Sequence, residues 1–193
     1  SYWENSEGNA AANGGIMRTS VLGIWEYLES DRLIENVEKV CKITHFDPRC
    51  VGSSVAVSLV ISYLLQGVTD LPKLITEIEE KVAHYHPSIS EYFALCKHSN
   101  IEELHLGDKH NMGYTLKTMA AGFWALQYAK SYEDGILKII HQGGDADTNA
   151  AVAGGILGAK FGYNNIPQKW IEELAYRAQL TAKVTEFIEL LNQ

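Results

Sequence analysis

Residues 143–149 are Gly-Gly-Asp-Ala-Asp-Thr-Asn, and a run of small residues follows them as far as Ala159. The preceding stretch, 135–140, is apolar, and the run 150–159 is rich in alanine and glycine, so both favour helices. The two acidic residues therefore lie where one helix ends and a buried helix begins. Almost every other segment of the chain also has apolar residues at helical spacing. The sequence predicts an all-α fold, organised as one domain over residues 1–193.

Asp145, Asp147 and Thr148 are candidate metal ligands in this turn. Carboxylate and hydroxyl oxygens are hard ligands that suit Mg²⁺, Mn²⁺ or Ca²⁺ rather than Zn²⁺. The same residue types also cap helices, so an ordinary N-cap is the alternative interpretation. The turn does not match an EF-hand, because it lacks the glycine at loop position six and the glutamate at position twelve.

Gly143 and Gly144 give the turn a second possible role. Glycine lets the backbone approach a ligand closely, and the free N–H groups at a helix start attract anions such as phosphate. One turn could thus hold a metal ion and touch a phosphorylated ligand. The small residues that follow predict close packing of this helix against its neighbours, which would fix the carboxylates in place. The helical small residues are Ala151, Gly154, Gly155, Gly158 and Ala159.

The segment 143–159, with Gly162 and the sequence Ile-Pro-Gln-Lys-Trp at 166–170, closely resembles the C-terminal signature of the ADP-ribosylglycohydrolase family. That family includes the dinitrogenase-reductase-activating glycohydrolase and the J1 crystallins. Three further segments resemble the family in the expected order, and the resemblance extends over about residues 8 to 172. They are Ala-Asn-Gly-Gly-Ile-Met-Arg at 12–18, Thr44-His45 followed by Asp47-Pro48, and Gly-Tyr-Thr-Leu-Lys-Thr-Met-Ala-Ala-Gly-Phe-Trp at 113–124.

This resemblance implies a Mg²⁺-dependent hydrolase of ADP-ribosyl bonds with an orthogonal, all-helical domain. It implies two Mg²⁺ ions in the complete site, with Mn²⁺ as a possible substitute, and assigns Asp145, Asp147 and Thr148 to one side of that site. ADP-ribose or an ADP-ribosylated protein is then the expected partner. The residues that the resemblance implies at the ligand are Asn13, Gly14, His45, Gly113, Tyr114, Gly143 and Gly144.

Two features of the family pattern are missing from this chain. Family members carry an N-terminal Ser/Thr-Asp-Asp triplet, which supplies the rest of the metal site, and an acidic residue implicated in catalysis. No Asp-Asp pair occurs here, and the chain starts at Ser1 without a methionine. We therefore expect the C-terminal portion of such a protein, without the N-terminal helices and inactive alone. The catalytic residues stay unassigned, and Glu4 and Glu7 qualify by proximity only.

Each ligand residue also has a purely structural interpretation. Asn13 could cap the helix that follows it, and His45 could be a capping or core histidine. Tyr114 could be a packed tyrosine whose hydroxyl is satisfied. Arg18 could bind phosphate or form a structural ion pair, with the ion pair favoured. The sequence His84-Tyr85-His86 suggests a metal ligand pair, but no third ligand lies at suitable spacing, so a solvated loop is expected.

The composition narrows the partners and the location. The net charge is −8 without a basic cluster, so we expect no nucleic-acid partner, because phosphate contacts need positive charge. Three cysteines without a C-x-x-C pair favour a reducing, cytoplasmic location. The uncharged stretch 51–68 is long enough to suggest a membrane span. A polar residue recurs there every fourth position, however, which favours a buried helix and no membrane partner. The oligomeric state stays open.

The helical pattern predicts where the elements lie. Residues 97–110 predict a loop or a weak helix, and Ser88 with Glu91 predicts a capping box. The predicted helices cover 16–29, 31–42, 51–66, a segment from Asp70, 88–96, 115–130, 131–140, 148–160 and one or two segments within 167–193.

Two functional hypotheses follow. The first is a Mg²⁺-dependent ADP-ribosylglycohydrolase, present here as its C-terminal portion. The second is a non-catalytic relative, either a crystallin-like structural protein or an ADP-ribose-binding module. A Ser/Thr-Asp-Asp segment upstream in the natural protein would favour the first hypothesis, and its absence would favour the second.

Overall fold

The computed structural model describes residues 11–109 and 111–191, and within these ranges it is helical without a β-strand. The α-helices are α1 (Gly14–Thr19), α2 (Ser30–Lys42), α3 (Pro48–Leu65), α4 (Leu71–Val82), α5 (Ser88–Cys96), α6 (Thr115–Tyr128), α7 (Tyr132–Ile140), α8 (Ala146–Phe161), α9 (Gln168–Glu172) and α10 (Arg177–Leu191). Short 3₁₀ helices lie at Ser20–Gly23, Ile101–Leu104 and Tyr163–Asn165. The predicted fold class is confirmed.

Helix α3 is the centre of the molecule. Its first turn is fixed by Pro48 at the start of the helix and by Asp47, whose side chain accepts a hydrogen bond from the Arg49 N–H at 2.9 Å. Residues 50–62 are buried, and α2, α4, α6 and α8 all pack against this helix. Burial on all sides explains why the sequence of α3 is almost uniformly apolar.

Three polar side chains of α3 and its C-terminal end donate to the last residue of α1 and to the turn that follows α1. Ser58 Oγ donates to the Thr19 carbonyl, and Ser62 Oγ donates to the Tyr27 carbonyl at 2.7 Å. Gln66 Nε2 donates to the same Tyr27 oxygen at 2.7 Å. By length and composition α3 could cross a membrane, but 72% of it is buried inside the molecule. Helices with this degree of burial are common in the cores of soluble proteins.

Helices α6 and α8 form the most extensive helix pair and place the candidate site at their N-terminal ends. Gly122 makes this close approach possible, because an added Cβ would lie 2.7 Å from Ile156 Cδ1. The pair therefore brings the segment before α6 beside the turn before α8.

Two local predictions were wrong. The helix expected over 16–29 becomes a 3₁₀ turn at Ser20–Gly23 and then leaves helical geometry. An added Cβ on Gly23 would lie 2.6 Å from the Ser58 carbonyl, and Glu26 has a φ of 51°, so packing against α3 overrides the apolar periodicity. The helix from Ser88 forms, but no side-chain capping bond occurs there; the Ser88 N–H donates to His86 Nδ1 instead.

Residues 97–109 of the predicted weak segment form a loop that contains the 3₁₀ helix Ile101–Leu104, as expected. Asp70 caps α4 by accepting a hydrogen bond from the Lys73 N–H at 3.2 Å.

Candidate functional site

The turn before α8 depends on its two glycines. Gly143 and Gly144 have φ values of 70° and 64°. Residues that carry a Cβ rarely adopt this left-handed backbone conformation. An added Cβ on Gly144 would lie 2.0 Å from the Leu106 carbonyl oxygen, whereas one on Gly143 would meet no atom within 4 Å. Gly144 therefore presses the turn against the loop at 106–107, and that contact fixes where Asp145 begins the helix.

Asp145 occupies the N-cap position of α8, but its side chain makes no capping hydrogen bond. Asp145 Oδ2 accepts a hydrogen bond from Asn13 Nδ2 at 2.6 Å, and Asp145 Oδ1 accepts one from Thr148 Oγ1 at 3.2 Å. The capping interpretation of Asp145 therefore fails. The carboxylate instead joins two motif segments that lie 132 residues apart in the chain.

Asn13 is the residue that assembles these segments. Its side chain does not cap α1, and the residue is only 7% exposed. Besides Asp145, Asn13 Nδ2 donates to Thr118 Oγ1 at 2.9 Å, and Thr118 Oγ1 donates to Asn149 Oδ1 at 2.7 Å. This buried chain of hydrogen bonds ties the starts of α1, α6 and α8 together.

Thr118 and Asn149 were missed as site residues. Both lie in motif segments, but their side chains are buried behind Asn13 and Asp145. Asn149 is four residues after Asp145, on the same face of α8, and that spacing is the one sequence signal that could have identified it. No local signal marks Thr118, because its partners come from other helices.

Asp147 lies next to this network and is exposed. The Thr148 N–H donates to Asp147 Oδ1 at 2.8 Å, and this bond, followed by contact with the Asp145 carboxyl group, lowers the pKa of Asp147. Two carboxylates and one hydroxyl form a hard oxygen donor set, which fits Mg²⁺ or Mn²⁺ by chemistry. Mg²⁺ takes six ligands, however, and the described residues contain no group of three or more His, Cys, Asp or Glu side chains that could hold a metal.

The His45 ring lies against the start of α1. A Cβ added to Gly14 would lie 3.0 Å from both Cε1 and Nε2 of His45. A Cβ added to Gly15 would lie 3.2 Å from both Cβ and Cγ of His45. Gly14 and Gly15 thus make room for the imidazole. Both glycines belong to the first turn of α1.

A hydrogen-bonded chain also orients His45. Thr44 Oγ1 accepts a bond from Arg18 Nη2 at 2.6 Å and lies 2.8 Å from His45 Nδ1. The Thr44 hydroxyl can donate its hydrogen to Nδ1 while it accepts from Arg18, and in that tautomer the proton of the neutral imidazole is on Nε2. Nε2 lies beside Gly14 and would face a ligand as a donor.

Arg18 has a structural role, but among residues 11–109 and 111–191 it forms no ion pair with a carboxylate. Its Nη2 atom donates to the carbonyls of Val40 at 2.8 Å and Cys41 at 3.1 Å, in addition to Thr44. These carbonyls belong to the last turn of α2, where a positive charge is favourable. Arg18 therefore fixes the end of α2 and, through Thr44, the orientation of His45.

We expect the His45 imidazole to titrate below its ordinary pKa of 6.5, because burial and then the charge of Arg18 both lower its pKa. The unfolded chain then binds a proton first as the pH falls, so His45 lowers stability below about pH 6.5 and has no effect at higher pH. NMR titration of the imidazole should show Arg18→Met raising this pKa, while Arg32→Met on the outside of α2 leaves it in place. If Arg18→Met leaves the pKa of His45 unchanged, the charge of Arg18 does not act on the imidazole as described.

Gly113 and Tyr114 pair with the strand-like residues before α1. The Asn13 N–H donates to the Gly113 carbonyl at 2.8 Å, and Ala12 and Tyr114 form an isolated antiparallel bridge. Gly113 has a φ of 79°, and an added Cβ there would lie 3.5 Å from Asp145 Oδ2. Gly113 therefore borders the carboxylate directly.

The Tyr114 ring packs between Tyr92 and Arg49. It meets Tyr92 edge to face at 5.5 Å, and the Arg49 guanidinium lies 5.7 Å from its centroid. Asp47, which is 1% exposed, holds Arg49 through bonds from Nε at 2.9 Å and Nη2 at 2.7 Å. The Asp47–Arg49 pair thus supports Tyr114, a role that the motif alone did not indicate.

The structure brings most predicted site residues together. Hydrogen bonds join Asp145 to Asn13 and to Thr148, and Gly113 lies beside the Asp145 carboxylate. The His45 ring lies against Gly14. Gly143 and Gly144 shape the turn beside them. Glu4 and Glu7 lie outside the described residues. His86 accepts a backbone hydrogen bond and His84 is exposed, so the metal interpretation of 84–86 gains no support.

Comparison with known proteins identifies the family of the chain. A family model described as ADP-ribosylglycohydrolase matches residues 1–193. The chain is 25% identical over 181 residues to the ADP-ribosylarginine hydrolase Tri1 of Serratia proteamaculans, a match that covers 94% of this chain and 47% of the relative. It is 24% identical over 174 residues to the ADP-ribosyl-[dinitrogen reductase] glycohydrolase of Rhodospirillum rubrum. That match covers 90% of this chain and 54% of the relative.

A solved structure, an ADP-ribosylglycohydrolase-related protein complex, superimposes with a TM-score of 0.75 at 25% identity. The superposition covers 90% of this chain and 58% of that one. The chain belongs to the ADP-ribosylglycohydrolase family. It spans about half the length of the curated relatives named above.

Proposed function

We propose that this chain forms the part of a Mg²⁺-dependent ADP-ribosylglycohydrolase that holds one side of the metal site and faces the ADP-ribose. One observation carries the proposal. The hydrogen bond of 2.6 Å between Asn13 Nδ2 and Asp145 Oδ2 joins two family segments, and Thr148 contacts the same carboxylate. A capping role for Asp145 would not need this long-range contact.

The reaction would break the bond between C1″ of the ribose and a side chain or small molecule. Its transition state has oxocarbenium character, so nearby negative charge and an ordered water molecule would favour it. A bound Mg²⁺ would orient ribose hydroxyls and activate water. Asp145, Asp147 and Thr148 are the residues that would hold it.

The other residues would bind and orient the ligand. His45 would donate from Nε2 to the ligand, and we assign it contact rather than proton transfer. Asn13 would keep Asp145 in position. Gly113, Gly143 and Gly144 would let backbone approach the ribose or the phosphates, with the N–H groups of α8 favouring the anion. Tyr114 would form a wall of the pocket beyond Gly113.

The proposed substrate is an ADP-ribosylated protein or small molecule. The Serratia and Rhodospirillum relatives carry names that describe ADP-ribosylarginine hydrolysis and action on ADP-ribosyl-dinitrogen reductase. Arginine is therefore the first modified residue to test, with serine and a nucleotide as the alternatives.

Mg²⁺ should bind the isolated chain weakly, with a dissociation constant of about 1 mM or higher, because three protein ligands leave half of the octahedron to water. Calorimetric titration of the wild type and of Asp147→Ala measures this. Asp147→Ala should abolish the remaining heat, whereas Asp108→Ala in the exposed loop should not change it. Micromolar binding by the wild type would show that the metal site is complete in this chain.

Release of ADP-ribose should be negligible with the chain alone and should appear when the upstream family segment is joined to it. Positioned general acid–base help is worth about 10²–10⁴-fold, and the resemblance places that residue in the upstream segment. A single-turnover assay with Mg²⁺ and ADP-ribosyl-arginine or ADP-ribosyl-serine peptides tests this. Turnover by the chain alone that Asp145→Ala abolishes would show that it holds a whole active site.

A non-catalytic ADP-ribose-binding or crystallin-like relative is the second candidate. The small number of metal ligands among the described residues favours it. ADP-ribose binding without turnover, in the protein that carries the upstream segment, would support this candidate against the enzyme.

We also propose a reducing, cytoplasmic location. Cys41, Cys50 and Cys96 are buried thiols, and burial raises the pKa of Cys50 and of Cys96 to about 12. Such thiols are structural rather than reactive.

A further inference from the structure

A buried lysine lies in the first turn of α6, one residue before Thr118. Lys117 is only 8% exposed, and its Nζ atom donates a hydrogen bond to the His105 carbonyl at 2.7 Å. Among residues 11–109 and 111–191 no carboxylate forms an ion pair with Lys117. Burial of an ammonium group is unfavourable unless polar atoms compensate for the lost water. The bond to His105 is therefore the contact that explains a lysine at this position.

The His105 carbonyl lies where the chain leaves the 3₁₀ helix Ile101–Leu104. His105 caps the C-terminal end of that helix and has a φ of 49°. Residues with a Cβ rarely adopt this left-handed conformation. A lysine side chain can satisfy a carbonyl at the end of a helix, where positive charge is favourable. Lys117 therefore stabilises the direction in which the backbone continues after His105.

The next two residues of this loop press against the turn before α8. A Cβ added to Gly107 would lie 2.5 Å from the Gln142 carbonyl oxygen. A Cβ added to Gly144 would lie 2.0 Å from the Leu106 carbonyl oxygen. Both are approaches of backbone to backbone, so neither can be relieved by a change of rotamer. The position of the turn therefore follows the position of the loop.

We propose that Lys117 is a positioning residue for the turn that carries Asp145 and Asp147. Its ammonium group holds the His105 carbonyl, His105 sets the path of residues 106–107, and these residues fix the turn. Lys117 forms an ion pair with neither carboxylate and acts on them through the loop. The placement of the turn rests on these contacts alone, whereas the binding of a metal ion by the turn rests on the proposed function.

Two buried leucines are the alternative anchor for the loop. Leu104 and Leu106 are 1% and 2% exposed. Their burial favours a loop that lies against the core, but the hydrophobic effect is not directional. A hydrogen bond to one carbonyl has a preferred geometry, and the close approach at Gly144 requires that the backbone is oriented. Lys117→Met separates the two anchors, because it keeps an unbranched side chain of similar length and removes the bond.

Amide hydrogen exchange, followed by NMR in the metal-free 193-residue chain, tests the positioning. The reporters are the Gly143 N–H, which donates to the Ile140 carbonyl at 3.0 Å, and the Asn149 N–H, which donates to the Asp145 carbonyl at 3.0 Å. They lie at the two ends of the turn. Buried amides in the centre of α3, such as that of Leu59, report global unfolding instead.

Lys160→Met is the matched control for Lys117→Met. Lys160 Nζ also donates to a carbonyl at 2.7 Å, but the acceptor is Leu126 near the C-terminal end of α6. Both variants therefore lose one bond between a lysine and a carbonyl. Only Lys117→Met loses the bond that holds the loop at 105–107.

We expect the Gly143 and Asn149 amides to exchange about tenfold faster, or faster still, in Lys117→Met, because a hydrogen bond from a charged donor is lost. Their rates should not change in Lys160→Met. Lys117→Arg keeps a cationic donor for the same carbonyl and should recover most of the protection. Unchanged rates in Lys117→Met overturn the proposal. An acceleration no larger than that of the α3 amides also overturns it, because Lys117 would then stabilise the whole fold without positioning the turn.

Two further measurements complete the test. In the wild type, the Lys117 ammonium group should give an NMR signal that is protected from exchange with water. Absence of that signal, where Lys160 gives one, overturns the proposal even if Lys117→Met does not fold. Paramagnetic Mn²⁺ should broaden the signals of residues 143–149, at a higher concentration in Lys117→Met than in the wild type. Faster exchange in the turn of Lys117→Met without broadening by Mn²⁺ supports the positioning and counts against the proposed function.

Discussion

Gly144→Ala is expected to lower the free energy of unfolding by about 3 kcal/mol or more. The left-handed backbone at Gly144 costs a residue with a Cβ about 1–2 kcal/mol, and forced overpacking costs about 1–3 kcal/mol more. The added Cβ would lie 2.0 Å from the Leu106 carbonyl oxygen, which is backbone and cannot rotate away. Urea denaturation followed by circular dichroism measures the loss.

Gly143→Ala is the matched control for this substitution. Gly143 has nearly the same φ, 70° against 64°, but an added Cβ meets no atom within 4 Å. Gly143→Ala should lower the free energy of unfolding only by the cost of the left-handed backbone, about 1–2 kcal/mol. Equal losses for the two variants would mean that the Leu106 contact does not fix the turn.

Asn13→Asp is expected to destabilise the protein by about 2–4 kcal/mol at pH 7. The change replaces a buried amide donor, 2.6 Å from Asp145 Oδ2 and 2.9 Å from Thr118 Oγ1, with an acceptor of the same shape. Two carboxylates would then face each other, and a buried charge without a partner is costly. The loss should shrink near pH 4, because repulsion requires both groups to be ionised. Denaturation at the two pH values measures it.

Two controls make this second prediction specific. Asn100→Asp keeps the capping bond to the Glu102 N–H on an exposed loop and should change stability little. The double variant Asn13→Asp/Asp145→Asn restores a donor–acceptor pair between the positions and should recover part of the stability. If the double variant is less stable than Asn13→Asp alone, the two side chains do not interact as described.

The metal motif shows which residues of the site can be predicted from the sequence. The carboxylates of Asp145 and Asp147 and the Thr148 hydroxyl could be chosen from local spacing, because they lie within four residues. Asn149 has one local signal, its spacing of four residues from Asp145. The buried partner Thr118 could not be chosen in this way, since the hydrogen bonds that define it cross between helices. The same limit applies to Arg18, whose acceptors are carbonyls at the end of α2.

The helices also divide into those that local sequence predicts and those whose ends are set by packing. Residues 30–42 and 48–65 were predicted within a few positions, because apolar periodicity is a local signal. The helix expected over 16–29 was too long, because its end is decided by the Ser58 carbonyl against Gly23. The glycines of α8 were expected to pack within the chain, but periodicity alone does not specify which neighbour, if any, covers each side of a helix.

By itself the sequence determined the all-α class, the turn that carries two carboxylates and a hydroxyl, and the family resemblance, since each depends on residues close together in the chain. Only the tertiary structure decided that Asn13 holds Asp145, that Thr44 and Arg18 orient His45, and that Ala151 and Gly155 face outward. These features depend on the direction in which α1, α6 and α8 pack. That direction is set by buried side chains from the whole core rather than by any one segment.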